Sequence, residues 1–187
     1  MRIFIIHGWG GNPEEGWFPS LKEKLVALGH EVMIPNMPNT DVPIIEPWVS
    51  YISKLVGEPD ENTILIGHSI GTQAIMRYLD TIKKPVKATI LVAGWFKLKN
   101  LESEDEWKIA KPWLETTINL DRVKQNAGKV FVFLSDDDPW VPLEENKEIF
   151  EKQLNAKVKV EIGKGHLSGE HGIFEFPQLV DTIKNLL

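Results

Sequence analysis

Apolar residues along the chain fall into short runs that alternate with longer stretches of helical periodicity. Arg2 to Ile6, Glu31 to Ile34, Thr63 to Ile66, Ala88 to Val92, Val130 to Leu134 and Val158 to Ile162 read as six strands, several of them apolar throughout, as expected when both faces are covered. Between them the spacing changes to that of helices. Leu21, Leu25, Val26 and Leu28 form a stripe that Gly29 is placed to end, and Val49, Ile52, Leu55 and Val56 form another on a helix from about Pro47. Ile70, Ala74, Ile75, Tyr78, Leu79 and Ile82 form a third, and Asp121 to Asn126, Leu143 to Leu154 and Phe174 to Leu187 read as further helices. Trp95 to Leu120 is the least regular part. It reads either as an excursion over the end of the sheet or as a plain surface helix from Asp105 to Lys111.

Strands that alternate with helices predict an α/β fold: a three-layer α/β/α sandwich around a six-stranded parallel sheet. Right-handed crossovers and an order of 2-1-3-4-5-6 set the first and third strands side by side, where strand order reverses and reactive loops gather. At 187 residues the chain suits one domain over residues 1–187, with a full core. No internal repeat or linker interrupts it.

One stretch fits the alternation and adds chemistry to it. Gly67-His68-Ser69-Ile70-Gly71 stands between a buried strand and a helix start, in the pattern G-x-S-x-G. A serine on such a turn is held in a strained conformation with its hydroxyl above the sheet, and Gly67 and Gly71 are needed because side chains there would collide as the helix folds back. The plain alternative is Ser69 as an ordinary helix N-cap.

A serine hydroxyl needs a base, and the base needs an orienting group. His166, in the loop after the last strand, is the expected base, with His171 in reserve; His7 and His68 flank glycines in the central loops and read as structural. Of Asp136, Asp137 and Asp138, the last is preferred because Pro139 restricts its backbone to an extended form. The other two are suited to bonding turn amides or facing water. The backbone N–H groups of Trp9 and Ile70 are the expected oxyanion donors. Trp9, Trp95 and Trp140 follow strand ends on the proposed active face and are expected to line a substrate pocket, with Trp113 covering it; Trp17, Trp48 and Trp107 read as core or rim packing.

The order Ser69, Asp138, His166 is that of the α/β-hydrolases. Together with Ile6-His7-Gly8-Trp9, Trp17-Phe18-Pro19, Asp138-Pro139-Trp140-Val141-Pro142 and Gly165-His166, it resembles the small serine hydrolases of the retinoblastoma-binding-protein-nine and YdeN type, over nearly the full chain. The resemblance implies a compact α/β-hydrolase fold without a large lid, and Ser69, Asp138 and His166 as a triad. The acidic run from Glu102 to Glu106 departs from that pattern.

Composition narrows the rest. Zero cysteines exclude disulfides and thiolate chemistry, and a net charge of −6 without a basic cluster argues against nucleic acid. Apolar runs are too short for a membrane span, no signal peptide precedes the first strand, and a cytoplasmic location is the expectation. No metal or cofactor is expected, a site from His166, Glu170 and His171 being the weak exception. The expected partner is a small acyl substrate, cleaved as a carboxylic ester, thioester or amide. The rival reading is a protein-binding module on a hydrolase scaffold.

Overall fold

The computed structural model describes residues 1–186. Strands β1 (Arg2–Ile6), β2 (Glu31–Met33), β3 (Thr63–His68), β4 (Ala88–Val92), β5 (Lys129–Ser135) and β6 (Lys157–Glu161) form one parallel sheet in the order β2-β1-β3-β4-β5-β6, as the sequence predicts. The helices are α1 (Phe18–Ala27), α2 (Ile45–Val56), α3 (Ile70–Thr81), α4 (Glu104–Glu115), α5 (Leu120–Asn126), α6 (Leu143–Leu154) and α7 (Pro177–Lys184).

Strand alternation divides the core in two. Ile3 and Ile5, Ile64 and Ile66, and Ile90 and Val92 point to one face, where α1 and α7 contribute Leu21, Leu25, Leu179 and Ile183. Phe4, Ile6, Leu65 and Leu91 point to the other, against Ile52, Ile75, Leu79, Val123 and Phe150 of α2, α3, α5 and α6. The three layers follow from this division. Helix α3 lies at the centre of its layer, with even its polar Thr72, Gln73 and Arg77 buried.

Several boundaries differ from expectation for local reasons. The buried stripe of α1 is Phe18, Leu21 and Leu25, an i, i+3, i+7 set; Val26 and Leu28 fall off it and are 50% and 45% exposed. Helix α2 begins two residues before Pro47 and buries Trp48, Ile52 and Val56, leaving Val49 and Leu55 only partly covered. Helix α7 starts at Pro177, whose fixed φ suits a first helical position, rather than at Phe174; the expected final residue, Leu187, lies outside the described residues.

The irregular stretch after β4 resolves into a loop and α4. Ser103 and Glu106 form a reciprocal capping box, and Glu104, Asp105 and Glu106 put negative charge at the positive end of the helix. The acidic run is thereby a helix-start signal. No helix among the described residues is long and apolar enough to cross a membrane.

Candidate active site

β3 ends at His68, and the chain turns straight into α3 through Ser69, whose φ of 52° and ψ of −123° lie in a region that L-residues seldom occupy. The strain is held by hydrogen bonds at both ends of the residue. Ser69 N–H donates to Val92 O at 2.9 Å, and its carbonyl accepts from Thr72 N–H and Thr72 Oγ1. Ser69 occupies the N-cap position, yet its hydroxyl does not cap the helix, so the ordinary-cap alternative does not describe it. Both flanking glycines are sterically required, in different ways. A Cβ on Gly67 would lie 2.9 Å from the Thr72 backbone, whereas one on Gly71 would lie 2.4 Å from Ile6 O and 2.6 Å from His7 O. The second collision is with β1 and not with β3, and it sets how closely the loop after β1 approaches the serine.

Two strands along the same carboxyl edge of the sheet, Asp138 is buried in the loop after β5, 3% exposed. Its Oδ1 accepts from Trp140 N–H and Val141 N–H, and its Oδ2 lies 2.8 Å from His166 Nδ1. That contact makes Nδ1 the protonated nitrogen of a neutral His166, leaving Nε2 with its lone pair. Ser69 Oγ makes no hydrogen bond among the described residues, His166 included. Serine and histidine are brought together in one cavity of about 690 Å³, which Gly8, Trp9 and Ile70 also line. The amides of Trp9 and Ile70 donate to no partner among the described residues, and are thus free for a ligand.

The expected aromatic walls divide. Trp9, Trp95 and Trp140 line the cavity, and the ring of Trp140 meets that of His166 edge-on at 5.0 Å. Trp113 does not line it. Its indole N–H donates to Pro43 O at 3.0 Å, its ring packs edge-on to Trp48, and the Arg77 guanidinium sits over it at 5.5 Å. Arg77 also donates to the carbonyls of Trp113 and Thr116, and burial pushes its pKa down to about 10. Trp113 is therefore a packing residue of α4, placed on the core side by a buried cation that its own sequence neighbourhood does not signal. The stretch after β4 still reaches the site, because Leu98 and Leu101 form one wall.

Other residues, read in the sequence only as structural, packing or turn residues, hold the histidine loop. His68 Nε2–H donates to His166 O at 2.9 Å. Burial first, then the neighbouring His166, drives the His68 pKa down to about 3, so it stays neutral. Trp17 Nε1–H donates to Leu167 O at 2.8 Å. Asp137 Oδ1 accepts from Ser135 Oγ and Gly165 N–H, contacts that hold its carboxyl below the usual range, and Asp136 Oδ1 accepts from Gly163 N–H. The three consecutive aspartates thus divide the work: two tie down the loop and one meets the imidazole. His171, the reserve base, is bonded through Nδ1 to Ser168 Oγ. His7 donates from Nδ1 to Gly8 O and accepts at Nε2 from Met37 N–H, a structural role. No group of three metal-ligating side chains occurs among the described residues.

A six-stranded parallel sheet in this order, with a strained serine between β3 and α3 and a buried aspartate–histidine pair beyond β5 and β6, defines a compact α/β-hydrolase fold. Comparison with known proteins makes the class specific: the chain matches the serine hydrolase family over residues 3–185 and belongs to it. It is 31% identical to YdeN of Bacillus subtilis over 185 residues, covering 97% of this chain and 94% of YdeN. The crystal structure of YdeN superposes with a TM-score of 0.89 at 28% identity, covering 99% of this chain and 97% of that one. Serine hydrolase RBBP9 of Rattus norvegicus is 29% identical over 192 residues, covering 100% of this chain and 95% of RBBP9. A structure from a study of Nitrososphaera carboxylesterases shares the fold at a TM-score of 0.72 and 14% identity, covering 98% of this chain and 88% of that one.

Proposed function

We propose that the protein cleaves small carboxylic esters through an acyl-enzyme on Ser69, with His166 as base and acid and Asp138 as its orienting carboxylate. The observation that carries the reading is the 2.8 Å contact between Asp138 Oδ2 and His166 Nδ1, in a cavity shared with a serine at φ 52° whose hydroxyl is not used for capping. His166 Nε2 takes the proton as Ser69 Oγ attacks the carbonyl carbon, and the imidazolium is stabilised by the buried carboxylate. The oxyanion receives the N–H groups of Trp9 and Ile70, the latter at the positive end of α3. His166 then protonates the departing alkoxide, and a water activated at the same nitrogen releases the acid. Trp9, Trp95 and Trp140 supply the apolar wall that excludes bulk water.

The test is a panel of small esters and thioesters with the Ser69→Ala protein as blank, alongside labelling by a fluorophosphonate. Turnover is expected to fall by about 10⁴-fold in Ser69→Ala and by a similar factor in Asp138→Asn. In the second variant the carboxamide keeps the acceptor for the amides of Trp140 and Val141 but presents N–H to the imidazole, which then takes the tautomer protonated at Nε2. Full turnover in either variant, or an unlabelled wild-type serine, refutes the reading.

A further inference from the structure

Trp95, Leu98 and Leu101 line the proposed catalytic cavity from the stretch between β4 and α4, which has no helix or strand of its own. Such a stretch keeps its shape only where something outside it supplies hydrogen bonds. At Trp95 that support is α3: the Gln73 side-chain amide donates to Trp95 O, and its oxygen accepts from Arg77. Beyond Trp95 the support is α6 and the loop before it. Asn146 Oδ1 accepts from Phe96 N–H at 2.6 Å and Lys97 N–H at 2.9 Å, while its Nδ2 donates to Lys97 O at 3.0 Å and Pro142 O at 2.7 Å.

Asn146 is fully buried, and the whole capacity of its amide, two donors and two acceptor sites, goes into these four bonds. Three of them reach the stretch after β4. The fourth returns to Pro142, at the end of the loop that carries Asp138 and Trp140. Further along, Lys99 N–H donates to Trp140 O at 2.8 Å and Asn100 Nδ2 to Pro139 O at 3.2 Å. The two loops therefore meet along one seam, with Leu98 and Leu101 on one side of it and Trp140 on the other, all three lining the cavity. The Asp138 carboxylate is oriented separately, by the amides of Trp140 and Val141 and by His166.

We propose that Asn146 is a positioning residue for substrate selectivity: by fixing Phe96 and Lys97 against the Asp138 loop it holds Leu98 and Leu101 beside Trp140, and the apolar wall so formed sets the ester chain length that the cavity prefers. The proposal rests on the hydrolase reading above and concerns how that site discriminates. Without the Asn146 amide, Phe96 and Lys97 lose three bonds while Trp95 keeps its tie to Gln73, so the wall loosens in the half that carries Leu98 and Leu101. Burial of one methylene against such a wall is worth up to about fourfold, and a wall that no longer closes on it forfeits that factor. The reacting groups keep their own contacts, so the loss falls on discrimination and not on chemistry.

The experiment measures kcat and KM for para-nitrophenyl acetate, butyrate, hexanoate and octanoate, and for the acetates of ethanol, butanol and hexanol, with wild type, Asn146→Ala and Asn126→Ala. Asn126 is the matched control, a buried asparagine whose amide donates to Leu79 O and Ile82 O and whose own carbonyl accepts from Val86 N–H, at the amino end of β4 and away from the cavity. In at least one series the spread of kcat/KM across chain lengths is expected to narrow by about fourfold or more in Asn146→Ala, carried by KM, with kcat for the shortest ester within about threefold of wild type and no narrowing in Asn126→Ala. A wild type that does not discriminate by length, an unchanged spread in Asn146→Ala, narrowing carried by kcat alone, or equal narrowing in Asn126→Ala overturns the proposal and leaves the hydrolase reading standing. Should Asn146→Ala not fold, Asn146→Asp, which keeps acceptors for both amides and loses the donors, is expected to narrow the spread by about twofold. If neither folds, the residue serves the fold alone and the proposal falls. If wild type turns over no ester above the Ser69→Ala blank, the hydrolase reading fails, and butanol and hexanol are titrated into wild type and Asn146→Ala instead. A preference for hexanol in wild type that weakens in the variant then supports the proposal, and any other result overturns it.

Discussion

Gly71→Ala is the sharpest perturbation the fold offers, because the added methyl group meets backbone and not a side chain that can swing away. Its Cβ would stand 2.4 Å from Ile6 O and 2.6 Å from His7 O, and an ordinary contact needs about a further ångström. That gap opens only by moving the end of β1 away from α3, and β1 leads directly to Gly8 and Trp9. The two amides expected to hold the oxyanion sit on either side of the gap, at Trp9 and Ile70. Overpacking of this kind costs about 1–3 kcal/mol of stability, and a displacement of about 1 Å at the reacting groups costs on the order of 10²-fold in rate. Gly67→Ala demands about half the movement, since its nearest contacts are at 2.9 Å, and Gly8→Ala less again, since it meets side-chain atoms at 3.1 and 3.3 Å. Urea unfolding and ester kcat/KM, measured on all three variants, are expected to rank Gly71 worst, Gly67 next and Gly8 mildest. A Gly71→Ala protein with wild-type stability and turnover would refute the claim that the approach of β1 to α3 sets the site.

Two further predictions concern residues outside the reacting groups. His68 has its folded pKa lowered to about 3 from an unfolded 6.5, so between those values the unfolded chain binds a proton that the native protein does not, and stability falls as pH falls. His68→Gln can keep an N–H donor for His166 O while removing the titration; stability curves across pH 3 to 6.5 are expected to lose about 1.4 kcal/mol per pH unit of their slope relative to wild type, and an unchanged slope refutes the assignment. Trp113→Phe deletes the hydrogen bond to Pro43 O and weakens the stack on Arg77, and is expected to cost about 1–3 kcal/mol of stability with kcat/KM within a few-fold of wild type. A large loss of turnover at unchanged stability would instead put Trp113 in the substrate pocket.

The parts of the site that were legible in the sequence are those written in adjacent residues. Gly67, Ser69 and Gly71 announce their turn because steric exclusion acts within a few positions, and alternation of apolar runs fixes the sheet and its order. Asp138 and His166 are recognisable as loop residues after β5 and β6, and the sheet brings them to 2.8 Å. What stayed hidden depends on partners far along the chain. Trp17 reads as core, and it is buried, but its indole N–H reaches a carbonyl 150 residues away. Asp136 and Asp137 look like turn residues, yet both also bond backbone amides of the loop after β6. Trp113 and Trp95 both follow the fourth strand, and only the buried Arg77 and Pro43 O decide that one packs inward while the other faces the cavity.

These hidden contacts determine which part of the site is free to move. The segment from Gly163 to Leu167 is tied at every residue: Gly163 to Asp136, Lys164 to Ser135 Oγ, Gly165 to Asp137, His166 to both Asp138 and His68, and Leu167 to Trp17. Shifting the imidazole by even an ångström would disturb several of these bonds together, at about 1 kcal/mol or more for each. Ser69 is different: its backbone is fixed by Val92 O and Thr72, but its hydroxyl is bonded to nothing among the described residues. The freedom left to Ser69 is therefore rotation about its side-chain bond, which takes place on a picosecond-to-nanosecond scale when the rotor is unhindered. Under the proposed mechanism a rigid base then meets a mobile nucleophile, and the sensitivity of the site is expected in the packing beneath Ser69, where Gly71 meets β1.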